Sequence, residues 1–293
     1  MMNKEALEEV TLGLIQMSSG KNIDENLSKA VKKIEDAAKK GAQIICLPEL
    51  FRSQYFCQEE ESANFNLAEA IPGETTEAIS AAAKKNHVAV VAGIFEKRAK
   101  GLYHNSAVII DANGSVVGKY RKMHIPDDPH YYEKFYFTPG DLGFNAHDTK
   151  FGKIGVLICW DQWYPEAARL TALQGAHILF YPTAIGTLKT EDNATRKTQK
   201  AAWETMQVAH GIANGVFVAS VNRVGVENHI NFWGSSFVSG PFGEMVAKAS
   251  DAKEETLIVK CDLSAIEETR HAWPFLRDRR IDAYSGITSR FLE

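Results

Sequence analysis

The order of elements predicts an α/β protein in which helical layers cover two mostly β sheets. Three observations carry this reading. Apolar strand-like runs alternate with amphipathic helical stretches twice over, and paired strands lie between the two series. No low-complexity linker or short-period repeat interrupts the 293 residues. We therefore expect a single domain over residues 1–293, with 270–293 as a C-terminal packing or subunit-contact tail. That length is enough for one large core.

Residues 10–17 read as a strand. Over 25–40 the apolar Leu27, Ala30, Val31, Ile34 and Ala37 recur at helical spacing, and Gly41 ends the helix as a C-terminal glycine does. Residues 43–47 are a short apolar strand running into Pro48-Glu49. A polar, aromatic-bearing loop reaches Pro72-Gly73, then a helix over 75–86 and a strand over 87–95. Strands over 106–111 and 115–120 flank Ala112-Asn113-Gly114, where Asn-Gly marks a hairpin turn. A strand over 153–159 leads to a helix over 165–174, whose Pro165 and Glu166 suit a first helical turn. A strand over 177–181, a long helix over 194–213 and a strand over 215–222 follow. The last third is strand-rich, with a turn at Gly240-Pro241-Phe242-Gly243, a helix over 264–271 and an irregular tail.

Composition narrows the function classes. The chain is 45% hydrophobic and 24% charged, with a formal net charge of -4. That balance lacks the clustered Lys and Arg of a nucleic-acid binder, and no run approaches the ~18 apolar residues of a membrane span. Met1-Met2-Asn3-Lys4-Glu5 lacks the basic-then-apolar layout of a signal peptide. Cys46, Cys57, Cys159 and Cys261 are scattered, with no CxxC and no His at metal-ligand spacing. This argues against a disulfide framework or a zinc site and fits a reducing cytoplasm. The expectation is a cytoplasmic, soluble chain without metal, nucleic-acid or membrane partners.

Three strand ends each deliver one reactive group into a following loop. Glu49 follows Ile44-Ile45-Cys46-Leu47-Pro48, Lys122 follows the hairpin strand, and Cys159 ends the run Gly155-Val156-Leu157-Ile158-Cys159. Singly these are ordinary: a Cys at a strand end is commonly a small buried hydrophobe, and a loop Glu or the Lys of Arg121-Lys122 is commonly solvated. Together they make a base, an oxyanion stabiliser and a nucleophile at strand ends, where ligands of α/β sheets gather. A thiol with a reference pKa near ~8.5 is a minority thiolate at neutral pH. A nearby ammonium favours the thiolate, and a carboxylate can take its proton during attack.

The segments Leu47-Pro48-Glu49, Tyr120-Arg121-Lys122-Met123-His124 and Gly155-Val156-Leu157-Ile158-Cys159-Trp160-Asp161 resemble, in order, the signature regions of the nitrilase superfamily of carbon–nitrogen hydrolases. The resemblance runs from the first strand to Arg277-Asp278-Arg279-Arg280. It implies a four-layer αββα sandwich, catalysis without a cofactor, a small-molecule substrate and a homo-oligomer. It also implies Glu49 as general base, Cys159 as nucleophile, Lys122 as oxyanion stabiliser and the Trp160 backbone N–H as second oxyanion donor. Glu133, in Glu133-Lys134-Phe135-Tyr136-Phe137-Thr138-Pro139-Gly140-Asp141, matches a recurring glutamate that orients substrate or water.

Within the superfamily, Met123-His124-Ile125-Pro126-Asp127, the Glu133–Asp141 run, the stretch from Ile158 to Arg169 and Tyr181-Pro182-Thr183-Ala184-Ile185-Gly186 are most similar to N-carbamoylputrescine amidohydrolases. The implied reaction converts N-carbamoylputrescine and water to putrescine, carbon dioxide and ammonia. Relatives that hold a substrate carboxylate carry Arg or His soon after the nucleophile; here Asp161, Gln162 and Trp163 stand there, which suits an alkylammonium tail. Asp161 also fits as a helix cap and Trp163 as core. Glu191 could receive the ammonium, although the segment Thr187 to Asn193 is shorter than in plant members and carries Lys189. Tyr55, Tyr132, Thr183 and Ala184 complete the expected substrate wall. The alternatives are a β-ureidopropionase, ω-amidase or aliphatic amidase and, in a different class, a non-catalytic interaction scaffold, which the presence of Cys, Glu and Lys argues against.

Overall fold

The computed structural model describes residues 9–293; the reading of residues 1–5 lies outside them. A first series comprises β1 (Glu9–Gln16), α1 (Ile23–Lys39), β2 (Ile44–Cys46), α2 (Glu74–Asn86), β3 (Ala89–Ala99), β4 (Leu102–Ile110) and β5 (Val116–Arg121). The short α3 (Glu133–Tyr136) and β6 (Ala146–Thr149) lead to a second series. It comprises β7 (Gly152–Val156), α4 (Pro165–Leu173), β8 (Ile178–Thr183), β9 (Gly186–Leu188), α5 (Asn193–Asn214) and β10 (Phe217–Asn222). β11 (Val224–Glu227), β12 (Ile230–Trp233), β13 (Phe237–Ser239), β14 (Met245–Lys248), β15 (Glu255–Asp262) and α6 (Ser264–Ala272) follow.

One six-stranded sheet is ordered β15-β1-β2-β3-β4-β5 and the other β14-β13-β10-β8-β7-β6. In each, three neighbouring strands are parallel and antiparallel strands flank them on both sides. The strands of the first sheet show why the layers form. Leu12, Leu14, Ile44, Cys46, Val91 and Ile109 face Ile154, Val156, Ile178, Phe180 and Val218 of the second sheet. The intervening Ile15, Ile45, Val90 and Val108 pack against Leu27, Ile34 and Ile79 of α1 and α2. Strands apolar on both faces need cover on both faces, and each fully buried side chain contributes roughly 1.5–3 kcal/mol. α4 lies against β7 and β8, and α5 against β10, so the order is helix, sheet, sheet, helix. This is the αββα sandwich.

Local signals place the helices. The Asn22 side chain accepts the N–H groups of Asp24 and Glu25 at the start of α1, and Gly41 takes φ +92 just past its end. His87, at φ +55, ends α2, so the next strand starts at Ala89 rather than 87. Two departures matter for function. The strand expected over 153–159 stops at Val156, and Cys159 instead opens a 3-10 turn, Cys159–Trp163, with φ +42. A left-handed residue cannot continue a strand. The second departure is a small third sheet, β11-β12-β9, whose pairing joins segments far apart in the chain.

The topology carries the reactive residues to one end. β5 is antiparallel to β4, and β4 to β3, which is parallel to β2. The carboxyl ends of β2 and β5, where Glu49 and Lys122 follow, therefore point the same way. At Gly93 on β3 a Cβ would sit 2.9 Å from the Leu50 nitrogen, so glycine there admits the loop after Glu49. Beyond α6, Trp273 stacks on Phe242 with ring centroids 5.2 Å apart, while Ile281, Ile287, Phe291 and Leu292 stay exposed.

Candidate active site

Glu49, Lys122 and Glu133 are each fully buried and meet at one ammonium. Lys122 Nζ donates to Glu49 Oε1 at 2.8 Å and to Glu133 Oε2 at 2.6 Å. Asn105 Nδ2 also donates to Glu49 Oε1, at 2.7 Å, whereas Glu49 Oε2 is buried with no partner. One carboxylate oxygen is thus anchored twice and the other is free to take a proton. The Lys122 backbone is pinned by its N–H to the Asn105 carbonyl and by the Gly140 N–H to its own carbonyl, both at 2.8 Å. Glu133 receives the Tyr55 hydroxyl proton on Oε1 at 2.7 Å. Both of its oxygens are held by protein donors, which places it to orient Lys122.

Cys159 is 4% exposed and its Sγ lies 3.8 Å from the Ala184 carbonyl oxygen, which accepts the thiol proton. Its left-handed backbone is held by Asp161. Asp161 Oδ2 accepts the Ile158 N–H and the Tyr120 hydroxyl, both at 2.8 Å. Oδ1 accepts the His124 N–H at 3.1 Å and lies 2.7 Å from His124 Nδ1, whose ring stacks on Tyr164 at 3.7 Å. With its oxygens so engaged and fully buried, Asp161 neither reads an ammonium nor caps α4: it caps the turn that carries the thiol. The first internal bond of that turn runs from the Asp161 N–H to the Ile158 carbonyl, at 3.0 Å, which leaves the Trp160 N–H outside the turn's ladder.

The charges act on one another strongly. Burial pushes the Cys159 thiol well above its ordinary pKa, and the Glu49 carboxylate adds to this, so the resting thiol keeps its proton. Burial works against the Lys122 ammonium, but the Glu133 and Glu49 carboxylates outweigh it and hold its pKa well above the usual lysine value. Glu133 is pushed up to about 7, first by burial and then by Glu49, against the pull of Lys122.

A cavity of about 550 Å³ opens over Cys159, lined by Trp160, Trp163, Ala184, Glu191 and Tyr131 among others. Of the expected substrate wall, Trp163, Ala184 and Glu191 reach it; Tyr55, Tyr132, Asp161 and Thr183 do not. Tyr55 is spent on Glu133. Thr183 is buried, with its hydroxyl donating to the Tyr181 carbonyl at 2.9 Å. Tyr132 lies one residue off; its neighbour Tyr131 faces the cavity and receives the Gly186 N–H at 3.1 Å. Glu191 accepts the Leu188 N–H at 2.7 Å and Gln199 Nε2 at 2.8 Å, which occupies both oxygens.

Sequence reasoning missed Asp128, Asn105 and Arg223. Asp128 lines the cavity and its carboxylate has no hydrogen-bond or ion-pair partner among the described residues; its only signal was a position just past Ile125-Pro126-Asp127. Among the described residues no Lys, Arg or His lines the cavity. Among the described residues no group of three or more His, Cys, Asp or Glu side chains is placed to hold a metal, and no helix is long and apolar enough to cross a membrane.

Comparison with known proteins agrees with this geometry. The family model described as Carbon-nitrogen hydrolase matches residues 11–271. The N-carbamoylputrescine amidase of Solanum lycopersicum is 43% identical over 287 residues, 95% of this chain and 94% of that protein. The citrullinase of Francisella tularensis is 39% identical over 290 residues, 97% of this chain and 100% of that protein. The crystal structure of a carbon-nitrogen hydrolase from Helicobacter pylori G27 superposes with a TM-score of 0.94 at 49% identity, covering 97% of this chain and 100% of that one. The chain belongs to the carbon–nitrogen hydrolase family, the nitrilase superfamily its three motifs resemble.

Proposed function

We propose that this enzyme hydrolyses the ureido group of N-carbamoylputrescine, releasing putrescine, carbon dioxide and ammonia. The observation that carries the substrate reading is the charge of the cavity: among the described residues two carboxylates, Asp128 and Glu191, and no cationic side chain line it. Aromatic walls from Tyr131, Trp160 and Trp163 suit an alkylammonium tail. A substrate carboxylate would find no countercharge there. Asp128, with its carboxylate uncommitted, is the better ammonium acceptor, and Glu191 shapes the wall.

In this reading a urea carbonyl seats on Cys159. The thiol proton passes to the free Oε2 of Glu49 as sulfur bonds to carbon, and Lys122 with the Trp160 N–H holds the developing oxyanion. One such donor is worth about 2.7–4 kcal/mol. Glu49 then protonates the departing nitrogen as the carbon–nitrogen bond breaks, which leaves an acyl group on sulfur. Water, giving its proton to Glu49, attacks that carbon; the proton returns to sulfur as the carbon–sulfur bond breaks, and the carbamic acid released loses carbon dioxide to free the second nitrogen as an amine. The same reading takes residues 9–293 as one domain, places the enzyme in the cytoplasm, and assigns the exposed apolar tail to subunit contact in a homo-oligomer.

The test is ammonia release from N-carbamoylputrescine, 3-ureidopropionate, citrulline and glutaramate at equal concentration, with Cys159→Ala as the blank. Strong preference for carbamoylputrescine, and a rise in KM of about 10-fold or more in Asp128→Asn with kcat retained, is the expected result. Preference for an anionic tail would overturn the substrate reading and leave the catalytic one standing.

A further inference from the structure

Arg223 is fully buried, at the junction of β10 and β11, outside the cavity lining and outside the groups that meet at Lys122. Its guanidinium spans the two halves of the molecule. Nη2 donates to the carbonyl oxygens of Glu49 and Leu50, both at 2.9 Å, and to that of Ser53 at 3.3 Å. Nη1 donates to both Glu227 oxygens at 2.9 Å and to the Ser53 carbonyl at 3.3 Å. Glu227 Oε2 in turn accepts the Tyr55 N–H at 2.6 Å. The guanidinium carbon lies 5.4 Å from the centre of the Phe232 ring, which packs edge-on against Tyr55 at 5.9 Å.

We propose that Arg223, with Glu227, is the positioning device that fixes the base relative to the nucleophile; this rests on the reading of Glu49 as base. Two features point to it. Leu50, directly after Glu49, holds a left-handed φ of +48, which a leucine adopts only when its surroundings impose it, and Arg223 grips the carbonyls on both sides of that residue's Cα. The second is topological. Glu49 follows β2 of one sheet, whereas Arg223 follows β10 of the other, two strands from the β7 that leads to Cys159. The nucleophile's sheet therefore holds the base's loop. A buried ion pair gives little net stability over an apolar pair of the same volume, so its value here is geometric. The Glu227 arm extends the same control to Tyr55, hence to Glu133 and Lys122.

Arg223→Lys keeps the charge and loses the planar fork that serves both carbonyls. We would measure kcat, KM and the rate at which iodoacetamide alkylates Cys159, located by mass spectrometry, in the wild-type and Glu49→Gln backgrounds. The expected result is a fall in kcat of about 10- to 100-fold with KM within about twofold, because the lining is untouched while the base is misplaced. Alkylation should slow in the wild-type background and not slow further when Glu49 is already Gln. Slowing by the same factor in both backgrounds, or a wild-type kcat, would overturn the proposal. Glu49→Gln that turns over and alkylates like the wild type would overturn the base assignment itself, and this proposal with it. Should Arg223→Lys fail to fold by circular dichroism, the isosteric Glu227→Gln is judged by the same criteria, with a several-fold loss expected.

Discussion

At Cys159 two unfavourable states are imposed on one residue. Its φ of +42 costs a non-glycine residue on the order of 1–3 kcal/mol, and burial beside a carboxylate keeps its thiol protonated. A protonated nucleophile needs a base at the moment of attack, and the unpartnered Glu49 Oε2 fits that need. Glu49 and Glu133 share one ammonium, and of the two Glu133 carries the raised pKa. With Glu133 raised to about 7, its carboxylate gains a proton as pH falls through neutrality, Lys122 loses that countercharge, and kcat/KM should fall with it. Glu133→Gln should therefore move the acid limb of the pH–rate profile downward while lowering kcat, since Lys122 loses an anchor. A limb left in place in that variant would show that another group governs it.

Among the elements, the five-residue turn Cys159–Trp163 matters most, because it replaces the last residues of the expected strand and aims the thiol at the cavity. Asp161 holds it from inside, joining the turn to Tyr120 at the end of β5 and to His124 beyond Lys122. Asp161→Asn keeps the size but gives up the charge and turns one acceptor into a donor. We expect a loss of about 2–3 kcal/mol in urea unfolding and a larger proportional fall in kcat than in affinity. Stability and kcat both at the wild-type level would remove the argument that this carboxylate holds the turn. The third sheet plays the complementary part: β9 supplies Gly186 and Leu188 and β12 supplies Trp233 to the cavity wall.

For the whole molecule, the governing fact is that the groups proposed to react come from different sheets: Glu49 and Lys122 follow strands of one, Cys159 a strand of the other. The apolar layer between the sheets sets their separation, and the Arg223 bridge sets the register of the loop above it. The tail shows what a single chain leaves unsatisfied. Ile281 is 74% and Phe291 84% exposed, with Ile287 and Leu292 nearby in sequence also uncovered. Exposed apolar side chains of this kind are what the proposed subunit contact would cover. Deleting residues 273–293 should reduce the assembly mass seen by native mass spectrometry; an unchanged mass would place the subunit contact elsewhere.

By itself the sequence determined the sandwich and marked three candidate reactive groups. Strands apolar at every position and helices apolar on one face dictate how the layers stack, and Glu49, Lys122 and Cys159 stand at strand ends where only the local pattern is needed to find them. It also marked Trp163, Ala184 and Glu191, which reach the cavity. Tertiary structure alone decided what each polar group faces. Asp161, two residues from the thiol, turned inward to cap; Glu133 turned to Lys122; Tyr131 rather than Tyr132 took the wall. Nothing local tied Asn105 or Arg223 to Glu49, because that partner lies 56 and 174 residues away. Periodicity reports which side of an element is buried, since burial depends on the element's own repeat. Hydrogen-bond partners depend on which distant segments the fold brings within about 3 Å, and no single stretch of chain encodes that.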